Sequence, residues 1–230
     1  MNDPVVLIPG AGGSAWFWHL VQARLCERGY DALAVDLPAA DRTKGLPDYA
    51  DAVVAAIGGR TDVTLVAQSM GAFTAPLVWQ RVPTRQVVFV NAMIPLPGET
   101  PGDWWENVGS SKARIAAAES KGYPTEFDLD TYFLHDIPAQ LLDVLYSAPN
   151  EQADRPFEDV CTFDGWPDLP IHAVASRDDR FFPVEFEQRL ARDRLGLDVD
   201  VVPGGHLSAL SHPDELAEVL AGYLAAAQIS

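Results

Sequence analysis

LVAQSMGAF, residues 65–73, sets one polar serine between an apolar run and a segment of helical character. Ala67 and Gly71 flank Ser69, two positions before it and two after. Two readings are open: a nucleophile held on a sharp strand-to-helix turn, or a helix N-cap after a buried strand. A turn tight enough to expose a serine requires small residues at those two positions, because larger side chains collide across it. The rest of the chain decides between them.

Outward from this stretch, short apolar runs alternate with longer amphipathic segments. VVLI (5–8), DALAVD (31–36), VTLVA (63–67), VVFVN (87–91), IHAVAS (171–176) and LDVDVV (197–202) read as strands. Most are rich in Val, Ile or Leu without clean alternation, the pattern of parallel strands covered on both faces. Helical patterns fall at about 15–28, 48–57, 71–81, 184–195 and 213–227. The last is introduced by Ser211 or His212, with Pro213 in its first turn and two acids after it, which is helix-start chemistry. Such alternation predicts right-handed crossovers and an α/β fold with a mainly parallel central sheet. The alternation fails between about residues 95 and 168. PLPGETPGDWWENVG opens that segment and FEDVCTFDGWPDLP closes it, with helices expected in SKARIAAAES and PAQLLDVLYSA. We read residues 1–230 as one domain carrying a helical cap insertion at about 95–168.

Charge and composition narrow the function. With 16 Lys or Arg against 33 Asp or Glu, the net charge is −17. Such a surface repels phosphate backbones and anionic bilayers, so neither nucleic acid nor membrane is an expected partner. The insertion alone holds 15 acids against 4 bases. No apolar run is long enough to cross a bilayer, and MNDPVVLIPG lacks the basic region of a secretory signal. Cys26 and Cys161 have no metal-ligand spacing, and a cytoplasmic protein with two ordinary thiols is the expectation.

A serine hydroxyl needs a base, and the base needs an orienting group. His206, in VVPGGHLSAL, follows the last predicted strand on a Gly-rich loop, at the same sheet edge as Ser69. His19, His172 and His212 read as structural, and His135 as a pocket-lining candidate. ASRDDRFFP offers two acids at another strand end, Asp178 and Asp179; the short loop before Pro183 favours Asp179. Developing negative charge needs donors. PGAGGSAWFWH bares backbone N–H groups where Gly10, Gly12 and Gly13 permit a turn, so the amides of Ala11 and Met70 are the expected oxyanion hole. No phosphate-binding glycine motif is present.

With these residues in place the chain resembles the α/β-hydrolase superfamily over nearly its whole length. PGAGGSAWFWH is most similar to the branch of small methylesterases and plant hydroxynitrile lyases. The resemblance implies a Ser69–Asp179–His206 triad at the C-terminal edge of the sheet and no metal or organic cofactor. Pro9 stands where that branch has histidine, and Ala67 replaces the first glycine of the elbow. Gly10 and Leu207 occupy the places where the lyases carry threonine and lysine, which argues against cyanohydrin cleavage. Ser69 argues against the dehalogenases and epoxide hydrolases, which place aspartate at the elbow. The expected function is hydrolysis of a small, uncharged carboxylic ester through an acyl-enzyme. C–C bond hydrolysis, a lyase reaction and a non-catalytic ligand-binding protein are the alternatives. Trp16, Trp104, Trp105 and His135 are the expected pocket residues.

Overall fold

The computed structural model describes residues 4–147 and 151–227. The N-terminal MND of the signal-peptide reading and the last residue of PAQLLDVLYSA lie outside that range.

Six strands form one wholly parallel sheet: β1 (Pro4–Ile8), β2 (Asp31–Ala34), β3 (Val63–Gln68), β4 (Thr84–Val90), β5 (Ile171–Ser176) and β6 (Asp200–Val202). Their spatial order is β2-β1-β3-β4-β5-β6. The chain therefore reverses direction across the sheet between β1 and β3, and a crevice opens there at the strands' C-terminal ends. Register places the ends together: Ile8 pairs with Ala67, Gln68 with Val90, and Ser176 with Val202.

Strand residues split by parity between two cores, because successive side chains point to opposite faces. Val6, Ile8, Leu65, Ala67, Val87 and Phe89 pack beneath α2 (Leu46–Ile57), α3 (Ala75–Trp79) and α7 (Val184–Leu195). Val5, Leu7, Val66, Val88 and Val90 pack beneath α1 (His19–Glu27) and α9 (Pro213–Ala227). Burial on both faces explains the near-continuous apolar strands. Val35 and Asp36 at the end of the expected strand DALAVD, and Leu197, Asp198 and Val199 at the start of LDVDVV, fall outside the strands.

Between β4 and β5 the described residues hold no strand. They form α4 (Pro101–Val108), α5 (Ser110–Lys121), a single π-type turn (Asp130–Leu134) and α6 (Ala139–Ser147). α4 arises inside the Pro- and Gly-rich stretch that opens the segment. Thr100 caps it by accepting the Asp103 amide at 3.0 Å, and Pro101 stands at its first turn, where a missing N–H costs nothing. Cys26 and Cys161 are both free thiols; burial pushes the Cys161 thiol up to about 12. No helix among the described residues is long and apolar enough to cross a membrane.

Candidate active site

The site is assembled from four loops at one sheet edge. The loop after β1 lies beside the turn after β3 because those strands are neighbours. Ser69 opens a short 3-10 turn (Ser69–Phe73) and adopts φ +51°, a left-handed conformation that a non-glycine residue holds only under strain. Gly71 is required there: a Cβ on it would stand 2.4 Å from the Pro9 carbonyl oxygen. Gly10 is required for the opposite approach, since its Cβ would meet Ser69 Cβ at 2.8 Å. The alternative reading of Ser69 as a helix cap finds no bond to support it: among the described residues the only hydrogen-bond partner of its hydroxyl is His206.

Instead, Ser69 Oγ lies 3.1 Å from His206 Nε2. His206 Nδ1 lies 2.7 Å from Asp179 Oδ2. A carboxylate facing Nδ1 places the imidazole proton there and leaves the Nε2 lone pair for the Ser69 hydroxyl. The other Asp179 oxygen, Oδ1, accepts the amides of Phe181 at 2.7 Å and Phe182 at 2.9 Å, so both oxygens are held. All three side chains are buried. The rings of Phe133, Phe181 and Phe182 surround the imidazole with centroids 4.8, 5.1 and 5.1 Å away.

The amides of Ala11 and Met70 stand on adjacent loops of this edge. Met70, in the first turn after β3, has no intrahelical acceptor for its N–H, and the Ala11 amide makes no hydrogen bond to protein among the described residues. The Gly12 amide is occupied: Gln152 Oε1 accepts it at 3.0 Å.

Two side-chain amides tie these loops together. Gln68 accepts the Gly10 amide at 3.2 Å and donates to the His206 carbonyl at 3.2 Å. Asn91, at φ +44° just past β4, donates to the same carbonyl at 3.1 Å and accepts the Ser176 amide at 2.7 Å. Asp136 accepts the Gly205 amide at 2.6 Å, so the segment between β4 and β5 also holds the His206 loop. Gln68 and Asn91 are absent from the sequence-level expectations. Their signal was a buried polar residue ending each of two otherwise apolar strands.

Above Ser69 opens a cavity of about 510 Å³, bounded by Ala11, Met70 and His206 and by side chains from the segment between β4 and β5. Among the described residues no Asp, Glu, Lys or Arg lines it. Of the four expected pocket residues, only Trp105 does. Trp104, its neighbour on α4, points the other way. It packs on Phe182 and Phe186 in the sheet core and donates its indole N–H to the Ile94 carbonyl at 3.0 Å. Trp16 stacks on His19, while Phe17 takes the place against the cavity. His135 packs behind Gly205, where burial holds its imidazole below the ordinary value.

One further buried acid lies close to the site. Glu187 on α7 accepts the Ala92 amide at 3.3 Å, and its other oxygen has no partner among the described residues. Burial, reinforced by the Asp179 charge, holds its carboxyl well above the usual range. The native state therefore keeps a proton that the unfolded chain loses above the ordinary carboxylate range. Stability falls as pH rises from that range toward the raised native value. Glu187→Gln flattens this decline, as read by denaturant unfolding across pH.

The model of the alpha/beta hydrolase family matches residues 5–219. The chain belongs to the alpha/beta hydrolase family. Within it, Methylesterase 3 of Arabidopsis thaliana is 29% identical over 142 residues, a match covering 54% of this chain and 54% of that one. Among solved alpha/beta hydrolase structures, polyneuridine aldehyde esterase superposes with a TM-score of 0.78 at 18% identity, covering 97% of this chain and 99% of that one. A pyrethroid hydrolase from Sphingobium faniae JZ-2 superposes with a TM-score of 0.75 at 20% identity, covering 97% and 98%. At these identities the two structural likenesses bear on the fold alone.

Proposed function

We propose that this alpha/beta hydrolase cleaves a carboxylic ester through a serine acyl-enzyme. The observation that carries the reading is the relay Ser69 Oγ–His206 Nε2/Nδ1–Asp179 at the floor of an apolar cavity. Ser69 Oγ attacks the ester carbonyl carbon as His206 Nε2 takes its proton. The carbonyl oxygen becomes an oxyanion, held by the N–H groups of Ala11 and Met70. The intermediate collapses; the alcohol leaves with the proton from His206, and Ser69 retains the acyl group. Water then gives a proton to His206, attacks the acyl carbon and frees the acid, and His206 returns the proton to Ser69. Asp179 stabilises the imidazolium in both halves.

The cavity supports the choice of substrate. Among the described residues its lining carries no Asp, Glu, Lys or Arg, so the part of the ester that enters it is uncharged. Its volume suits an apolar or aromatic group of drug-like size. Residues 95–168 act as the cap that sets this selectivity, through Trp105, Phe127 and Phe133. A methylesterase among the similar proteins agrees with ester chemistry.

A fluorophosphonate probe tests the nucleophile directly. Mass spectrometry locates the adduct on Ser69 in native protein and finds none after heat denaturation. Native protein that stays unmodified would favour a ligand-binding role instead.

Gln68 is expected to position the base relative to the oxyanion loop. Gln68→Leu lowers kcat by about tenfold to a hundredfold, since displacements near 1 Å cost that much, with KM little changed. Steady-state kinetics check this, and a loss confined to KM would assign Gln68 to substrate contact.

A further inference from the structure

Among the described residues no Asp, Glu, Lys or Arg lines the main cavity, yet it shares a wall with a more open cavity of about 290 Å³ that has an arginine in its lining. Trp105, Phe127 and Phe181 line both, so their rings stand between the two spaces. The far side of the second cavity is formed by Ser110, Ser111 and Arg114, at the start of α5. That helix is the basic exception in an acidic segment. Of the 4 basic residues between 95 and 168, Lys112, Arg114 and Lys121 all belong to it.

Arg114 is half-buried and held in place. One terminal nitrogen, Nη1, donates to the Thr125 carbonyl at 2.8 Å, and the guanidinium lies 4.8 Å from the Tyr132 ring centroid. Tyr132 is itself anchored, its hydroxyl donating to the Pro124 carbonyl at 2.5 Å. Neither of Arg114's partners is an anion. Arg24, Arg60, Arg81, Arg192 and Arg194 each reach a carboxylate. Arg114, like Arg28, Arg42 and Arg180, reaches none among the described residues, and of these four it is the one that lines the second cavity. A guanidinium cannot shed its charge, and its planar fork of N–H donors matches a carboxylate in two places at once.

We propose that the second cavity is a subsite for a carboxylate on the substrate, at the end remote from the reacting ester, with Arg114 as its partner. The inference rests on the ester-hydrolase reading and refines its substrate class: uncharged where it reacts, anionic at the far end. A half-ester of a dicarboxylic acid is the simplest such molecule, its apolar linker passing the rings of Trp105, Phe127 and Phe181. The surrounding negative charge disfavours a distant anion, so selection falls to the short-range pair with Arg114.

The test uses monomethyl and dimethyl esters of straight-chain dicarboxylic acids of graded length. Binding is read by calorimetry on Ser69→Ala protein, so that turnover does not intervene. At the best length, adding Arg114→Gln weakens the monomethyl ester about tenfold and leaves the dimethyl ester unchanged, as loss of a charge-assisted bond requires. Arg114→Lys restores part of that loss. Equal weakening of both esters would mean that Arg114 only supports cap packing, and no weakening, or no monoester binding, would equally overturn the subsite. The two readings fail separately. Dimethyl ester turnover that depends on Ser69, with monoester binding indifferent to Arg114, removes the subsite alone. Absence of turnover on either ester removes the hydrolase reading, while the binding result stands.

Discussion

Replacing Ser69 with alanine lowers kcat on a reactive aryl ester by about 10³- to 10⁶-fold, the range found when a serine nucleophile is removed from a preorganised site. The substitution deletes one oxygen and leaves the rest of the constellation standing. His206 stays bonded to Asp179 at 2.7 Å, and the Ala11 and Met70 amides keep their places. A residual rate of about 10³–10⁴ over water is therefore expected from binding and oxyanion stabilisation alone. KM changes little, because the apolar cavity walls are untouched. Steady-state kinetics and loss of phosphonate labelling measure both quantities. Retention of full activity would sink the assignment.

The same variant separates the two readings of Ser69 thermodynamically. A capping serine contributes about 1 kcal/mol to its helix, so its loss lowers the melting temperature by about 2–4 °C in a chain of this size. Here the Ser69 hydroxyl bonds His206 and caps no helix among the described residues, and alanine must occupy the same φ of +51°. Ser69→Ala is expected to melt within about 1 °C of the parent, since the change in free energy is small. Calorimetry checks this independently of activity.

The fold was legible because its pattern is local. Val- and Ile-rich runs of strand length, each followed by an amphipathic segment, leave little besides a parallel sheet covered on both faces. The loops bearing Ser69, His206 and Asp179 could be found because each follows a strand, and parallel strands deliver all their C-terminal ends to one edge. Side-chain direction within a short helix is not local in that sense. Trp104 and Trp105 are adjacent, yet a turn of about 100° per residue sends one into the core and the other to the cavity. Trp16 and Phe17 divide in the same way on a 3-10 turn. Gln68 and Asn91 were hidden for another reason. Their partners lie more than a hundred residues away at His206, a relation that strand order creates and sequence spacing does not express.

Asp178 and Asp179 are neighbours in sequence, but their substitutions are expected to differ by several orders of magnitude. The Asp179 side chain is fully buried, with one oxygen on His206 and the other on two backbone amides. The Asp178 side chain is 50% exposed; it pairs with Arg177 at 3.2 Å and receives the Gly204 amide at 3.4 Å. In Asp179→Asn, the amide oxygen can still accept the Phe181 and Phe182 amides, so the loop is preserved. The amide nitrogen then faces Nδ1 as a donor and forces the imidazole proton onto Nε2. That tautomer cannot take the proton of Ser69, and the imidazolium loses its counter-charge; kcat falls by about 10⁴ with the structure intact. Asp178→Asn exchanges one solvent-screened ion pair for a hydrogen bond, and kcat stays within about threefold of the parent. Kinetics on the two variants, each checked by phosphonate labelling, decide the matter. Comparable losses from both substitutions would place the effect in the loop's stability and remove the orienting role from Asp179.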